Sequence, residues 1–385
     1  MTAGPAHQRL LREVRQGLAR GDGPADAAAV ADLVRRHGAV RGTAALRDAA
    51  ERVLADVAGA GPLQPLLGEP EVTDVVVNGP GPVWVDRGAG LRRSGLSIDD
   101  EREVRGLAQR LVAAAGRRLD DAMPYADARL PDGTRVHAIL PPLSPQGTCL
   151  SLRLPPRRTF TLDDLVAAES LPPDGAVLLA GLVEARMAFV VTGGTGTGKT
   201  TVLSTLLSLV PAQERLVLVE DARELQPAHP HTVRLEARPA NAEGVGQVDL
   251  VVLVRQALRM RPDRLVVGEV RGAEVRELLT ALNTGHDGGS CTLHANRAEH
   301  VPARFEALAS SAGLDRPATH SQLAAAVEAV VHLVREPGGQ RRVAGVAVLS
   351  AGADGLVQAV PAVRFGPEGL TAGPAESALQ RRLER

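Results

Sequence analysis

Aromatic residues are nearly missing from this chain: one Trp, one Tyr and four Phe among 385 residues. That scarcity argues against a row of aromatic platforms for stacking single-stranded bases, and nucleic acid is not the expected partner. Cysteine is as rare. Cys149 and Cys291 cannot make a four-Cys zinc site, and two cysteines are no disulfide framework. Net charge is missing too: at −1 the chain carries no global attraction for nucleic acid or anionic lipid. Residues 1–23 lack an apolar signal core, and no run is long and apolar enough to span a bilayer, so a cytoplasmic protein is expected. The sharpest absence is lysine. Of the 44 basic residues only one, Lys199, is a lysine.

That lysine stands in the most informative stretch, Phe189 to Leu203. An apolar strand (Phe189-Val190-Val191) runs into a glycine-rich loop and the opening turn of a helix. Gly193, Gly194, Thr195, Gly196, Thr197, Gly198, Lys199 and Thr200 fit the phosphate-binding pattern G-x-x-x-x-G-K-[ST], followed by Thr201. The glycines let successive backbone N–H groups turn inward toward phosphate oxygens, and the helix N-terminus adds partial positive charge. Lys199 suits the β- and γ-phosphates, and the Thr200 hydroxyl suits Mg²⁺. Where arginine is used almost everywhere else, a compact ammonium is kept where phosphates need a point charge. The chain is read as a nucleotide-binding protein.

Around this loop the sequence divides into textures. Residues 1–60 are Ala- and Arg-rich with helical spacing, a helical N-terminal extension. Residues 61–155 alternate in short strands: Thr73–Asn78 and Val83–Asp86 about a Gly-Pro turn, a helix over 100–115, then Asp127–Leu130, Arg135–Leu140 and Cys149–Leu154. In the last two strands Val136, Ala138, Leu140, Leu150, Leu152 and Leu154 share the apolar faces, with Arg135 and Arg153 opposite. This is a small α+β domain with one wet sheet face. Residues 156–170 read as a linker, opening at Pro155-Pro156-Arg157-Arg158. Over 171–365 apolar strands alternate with helices, as in a sheet covered on both faces. Residues 366–385, rich in Gly, Pro and Ala and then Arg, are expected to be a flexible tail.

Two further strands end in carboxylates. Arg264–Gly268 runs into Glu269, and Leu216–Val219 into Glu220-Asp221, with Glu224 one turn on. Behind a phosphate loop, two strands delivering acids to one edge supply a metal carboxylate and a base for the attacking water. His294 follows a short strand, Ser290–Leu293, from where it could contact the γ-phosphate. His286, His294 and His300 match no standard zinc spacing.

These segments together resemble the secretion-superfamily, or traffic, ATPases of type II and type IV secretion and pilus assembly. The resemblance is carried by Gly193–Thr201, by Glu220–Leu225, by Ala257–Gly272 and by Thr284–Asn296, with Val72–Gly79 and Asp127–Gly133 in the N-terminal domain. It is strongest for the tight-adherence (Flp) pilus branch and its actinobacterial, conjugal-transfer-associated members. It implies an α/β fold: a RecA-like P-loop motor domain behind a smaller PAS-like α+β domain, assembled as a hexamer that uses ATP and Mg²⁺. It places Glu220 as the catalytic carboxylate, Glu269 and Thr200 on the Mg²⁺ side, and His294 as a γ-phosphate sensor. It brings Arg135 and Arg153 to the phosphates and makes Arg259 and Arg261 candidates for the cleft or the subunit boundary. An integral-membrane platform protein is the implied partner, with the motor docked peripherally at the inner face of the plasma membrane. One position departs from the pattern: Gly289, where relatives often carry Ser. The four-Cys zinc element frequent in the type II branch is ruled out by two cysteines.

Rival readings fail on particular residues. A GTPase needs an Asn-Lys-x-Asp motif, and the only Lys is in the loop. An ABC ATPase needs a Ser-Gly-Gly-Gln-type signature, whereas the sole Gly-Gly-Gln, Gly338–Gln340, lies far downstream. A DNA translocase shares the motor core and would show salt-dependent DNA binding. A regulatory module would have lost Lys199 or a catalytic acid, and both are present.

Overall fold

The computed structural model describes residues 59–384, apart from 89, 156–157, 239, 241–244 and 367–368. All but the last two residues of the expected helical extension 1–60 lie outside the described residues. The chain divides into two compact units between residues 157 and 158.

The N-terminal unit begins with a short helix, α1 (Gln64–Gly68), and is built on a six-stranded antiparallel sheet. Its strands are β1 (Asp74–Asn78), β2 (Gly81–Asp86), β3 (Leu91–Ile98), β4 (Tyr125–Arg129), β5 (Arg135–Ile139) and β6 (Cys149–Arg153). They lie in the order β3-β2-β1-β6-β5-β4. One long helix, α2 (Glu101–Ala114), starts where the Asp100 side chain accepts the Arg102 N–H. Val104, Leu107, Leu111 and Val112 recur at helical spacing and bury against the alternate residues Val75, Val77, Val136, Ala138, Leu150 and Leu152. Period-two burial leaves the other face of the sheet wet, as its sequence implies. Strand β3 was not read from sequence, because Leu91–Ile98 carries two arginines, two serines and a glycine and buries only Ile98.

The C-terminal unit is a nine-stranded sheet in the order β15-β14-β13-β12-β7-β11-β10-β8-β9. The six strands from β12 to β9 run parallel: β7 (Phe189–Gly193), β8 (Leu216–Glu220), β9 (Thr232–Glu236), β10 (Arg264–Val270), β11 (Ser290–His294) and β12 (Ala329–Arg335). Strands β7 and β8 are buried at every residue, so their apolar runs need no alternation. On one face lie α3 (Leu162–Ala167), α4 (Pro173–Glu184), α5 (Lys199–Leu207) and α10 (Glu376–Leu383). On the other lie α6 (Leu250–Ala257), α7 (Glu274–Leu282), α8 (Val301–Ser311) and α9 (Arg316–Ala326).

Two expected boundaries are corrected here. The stretch expected to be a flexible tail, 366–385, holds two ordered elements among its described residues: β15 (Gly369–Ala372) pairs with β14 (Val357–Gly366), and α10 buries Leu379 in the core. The Arg382 guanidinium also donates to the carbonyls of Glu328 and Leu349, fastening the helix to the sheet. The supposed linker 156–170 contains α3, closed by a capping box between Thr161 and Asp164 and anchored by buried Leu165. The antiparallel strands β13 (Arg341–Ala351), β14 and β15 extend the sheet beyond the expected α/β alternation.

Candidate functional site

In a parallel sheet of this kind ligands are held at the C-terminal ends of the strands, where neighbouring connections diverge. Strand β7 sits there between β11 and β12, and its end is the glycine loop. Gly193 must be glycine for space: a Cβ would lie 2.6 Å from the Leu333 carbonyl oxygen of β12. Gly196 (φ 72°) and Gly198 (φ 93°) adopt left-handed backbone, which lets the loop curl and α5 start directly behind it. The Thr197 hydroxyl donates to the Gly194 carbonyl at 3.0 Å and braces the curl.

Lys199, the first residue of α5, folds back over the loop and donates to the carbonyls of Gly193 (3.1 Å) and Gly194 (2.9 Å). Burial pulls its ammonium below the ordinary lysine pKa, against the opposing attraction of Glu269 and Glu224. The Thr200 hydroxyl lies 3.4 Å from a Glu224 carboxylate oxygen. Thr195 is exposed at the crest of the loop, and the Thr201 carbonyl accepts from Thr205 within the helix. His294 ends β11 in register with Gly193, at the base of the loop.

Glu220 closes buried β8 and is itself 3% exposed. A buried carboxylate needs donors, and Oε1 accepts the backbone N–H of Glu224 (2.9 Å) and of Leu225 (2.8 Å). Its methylene passes over the neighbouring strand at Gly268, where a Cβ would lie 2.7 Å from Glu220 Cγ. That contact is the reason for glycine immediately before Glu269. Here β10 bulges: Val267 pairs with Cys291 but Val270 with Leu293, so three steps on β10 span two on β11. Bulges re-aim side chains, and this one sits at Gly268-Glu269. The Thr292 hydroxyl donates to the Gly268 carbonyl at 2.6 Å. Glu269 is partly exposed, and its nearest cation is Arg271 at 4.0 Å, which is itself held to Asp221 through Nε at 2.6 Å.

Thus the structure gathers Lys199, Thr200, Glu220, Glu269 and His294 at one edge, and adds Glu224, which the sequence had shown only as a neighbour of Glu220. Among the described residues no three His, Cys, Asp or Glu side chains converge as a metal site. The donors beside the loop nonetheless suit Mg²⁺, a hard cation that takes one or two protein oxygens and completes its shell with water and substrate phosphates.

The arginines divide. Within the N-terminal unit, register aligns Arg129, Arg135, Arg153 and Asp74 across four adjacent strands on the wet face, and Arg153 Nε donates to Asp74 at 2.9 Å. Arg129 was not singled out from sequence, because only strand pairing reveals that it stands beside Arg135. Arg259 and Arg261 precede β10 and are exposed, while Glu269 is near its far end. Seven residues of strand, roughly 20 Å, separate the two ends. The structure does not bring Arg259 or Arg261 to the phosphate loop of its own chain. Gly289 is also explained: a Cβ there would lie 2.4 Å from Leu282 Cδ2, so this packing has no room for serine.

A family model described as type II/IV secretion system protein matches residues 56–360. The chain belongs to that family. A putative conjugal transfer protein of Mycobacterium tuberculosis is 57% identical over 311 residues, covering 79% of this chain and 88% of the relative. The type IV secretion system protein PtlH of Bordetella pertussis is 32% identical, covering 71% of this chain and 87% of its own. Among solved structures, the Legionella pneumophila ATPase DotB superposes with a TM-score of 0.51 at 18% identity, covering 80% of each chain. That likeness shows the fold alone, a RecA-like α/β fold in the C-terminal unit, with the glycine loop at the end of β7. Among the described residues no helix is long and apolar enough to cross a membrane.

Proposed function

We propose that this secretion-family protein is a Mg²⁺-dependent ATPase, one subunit of a hexameric ring that powers pilus assembly or protein secretion. The observation that carries the reading is the seat of the only lysine: Lys199 lies over the glycine loop, with Glu269 and Glu224 drawing on its charge. In this reading Gly193–Thr201 wrap the phosphates, and Lys199 neutralises the β- and γ-phosphates. Thr200 and Glu269 hold Mg²⁺, which supplies charge neutralisation on the phosphate oxygens. Glu220, fixed by two N–H donors on Oε1, orients and deprotonates the attacking water. His294, at the base of the loop, senses the γ-phosphate. Arg135 and Arg153 add cations to the triphosphate, and Arg259 and Arg261 serve a neighbouring subunit. The motor docks on an integral-membrane platform protein at the inner face of the plasma membrane.

Lys199→Ala tests the reading directly. No other ammonium side chain exists to replace it, so turnover should vanish and nucleotide binding weaken. Wild-type hydrolysis by that variant would overturn the assignment. A second reading, a motor for conjugative DNA transfer, draws on the 57% identical relative named a putative conjugal transfer protein. DNA-stimulated, salt-dependent hydrolysis would favour it.

A further inference from the structure

Strands β12 and β13 form a hairpin through Glu336–Gln340, and its last facing pair is Arg335 and Arg341. Both guanidinium-bearing side chains reach the phosphate loop of the same unit. A Cβ at Gly196 would lie 3.5 Å from Arg335 Nη1, and one at Gly198 would lie 3.8 Å from Arg341 Cδ. Both are ordinary contact distances, so the two arginine side chains lie directly against the loop.

Both arginines are exposed, and among the described residues neither guanidinium has a hydrogen-bond or ion-pair partner. The next residue differs sharply. Arg342 is engaged, donating through Nε to Glu336 at 2.6 Å and through Nη1 to the Phe365 carbonyl at 3.1 Å. Like charges directly opposite on paired strands repel. A hairpin that places two beside each other, with no carboxylate between them, is stabilised by an anion. The loop they flank is built for phosphate.

We infer that Arg335 and Arg341 form a second cationic element of the nucleotide site, holding the phosphate chain of a bound nucleoside di- or triphosphate on the flank opposite the carboxylates. The inference rests on the nucleotide-binding reading of the glycine loop. Sheet order sets the flank: β12 adjoins β7 on one side, whereas β11, β10 and β8, with His294, Glu269 and Glu220, lie on the other. The attacking water belongs to the side of the acids. The arginines therefore meet phosphates common to ATP and ADP, and they are binding residues rather than catalytic ones. Guanidinium forks suit phosphate oxygens in this role.

The test is equilibrium titration of the full chain with ADP and with a non-hydrolysable ATP analogue, for Arg335→Gln, Arg341→Gln, the double variant and Lys199→Ala. Each arginine variant should raise Kd about tenfold for both nucleotides alike, the size of one charge-assisted hydrogen bond. The double variant should also flatten the salt dependence of Kd. Lysine at both positions, which keeps the charge, should recover most of the affinity. Wild-type affinity in the double Gln variant overturns the inference, as does a double Lys variant as weak as the double Gln one. Wild-type affinity in Lys199→Ala, with the arginine variants weakened, would instead sink the assigned role of the lysine and leave the arginine pair standing.

Discussion

Replacing Gly268 by alanine adds one methyl group and should remove most of the hydrolytic activity. Gly268 has no left-handed backbone requirement, so alanine is conformationally acceptable there. Space is what forbids it. The new Cβ would lie 2.7 Å from Glu220 Cγ and 3.2 Å from its Oε1, closer than carbon atoms pack. Glu220 must then move, and it cannot move freely, because Oε1 holds the N–H groups of Glu224 and Leu225. Either those two bonds lengthen or β10 shifts at its bulge and carries Glu269 along. Overpacking of this kind costs about 1–3 kcal/mol of stability, which the two-face core of the C-terminal unit should survive. The effect on chemistry should be larger, since misplacing a catalytic group by about 1 Å costs on the order of a hundredfold in rate. The assay is steady-state release of phosphate from Mg²⁺-ATP, beside thermal melting and ADP titration of the same sample. Turnover should fall about a hundredfold while ADP affinity stays near wild type, because Lys199 and the loop are untouched. Wild-type turnover in a folded Gly268→Ala protein would refute the reasoning and remove Glu220 from the chemistry.

Glu220→Gln should bind ATP and hydrolyse almost none: its amide oxygen can keep both backbone donors, but the side chain can no longer act as a base, and wild-type turnover would end that assignment. Light scattering with and without a non-hydrolysable ATP analogue should show a ring assembly whose population depends on nucleotide; a monomer at all concentrations with unchanged activity would contradict it. Arg135→Ala and Arg153→Ala should each lower turnover more than ADP affinity. The exposed Arg153–Asp74 pair is worth only about 0–1 kcal/mol, so neither variant should fail to fold. Unchanged hydrolysis in both would mark these arginines as surface residues of the wet sheet face.

The site was legible where chemistry demands a fixed spacing along the chain. Gly193 to Thr200 is one strand end, one loop and one helix start, so its function is local and its residues are contiguous. Glu220 and Glu269 were legible for a related reason: a buried parallel strand is a continuous apolar run, and an acid at its end is conspicuous. In the N-terminal unit, alternation exposed the wet faces carrying Arg135 and Arg153. What the sequence alone could not decide was whatever depends on strands meeting at a distance. Gly268 looked like an ordinary strand glycine until Glu220 was found lying across it. Arg129 became the neighbour of Arg135 only through pairing of β4 with β5. The residues of the supposed tail carry weak strand and helix signals, yet β15 finds an open edge on β14 and Leu379 finds a core to enter. Burial supplied by the rest of the fold ordered them, and no local propensity would have done so. Arg335 and Arg341 were two arginines among 43 in the sequence. Only the parallel pairing of β12 with β7 sets their hairpin against the glycine loop, and with it the charge that a phosphate chain would meet.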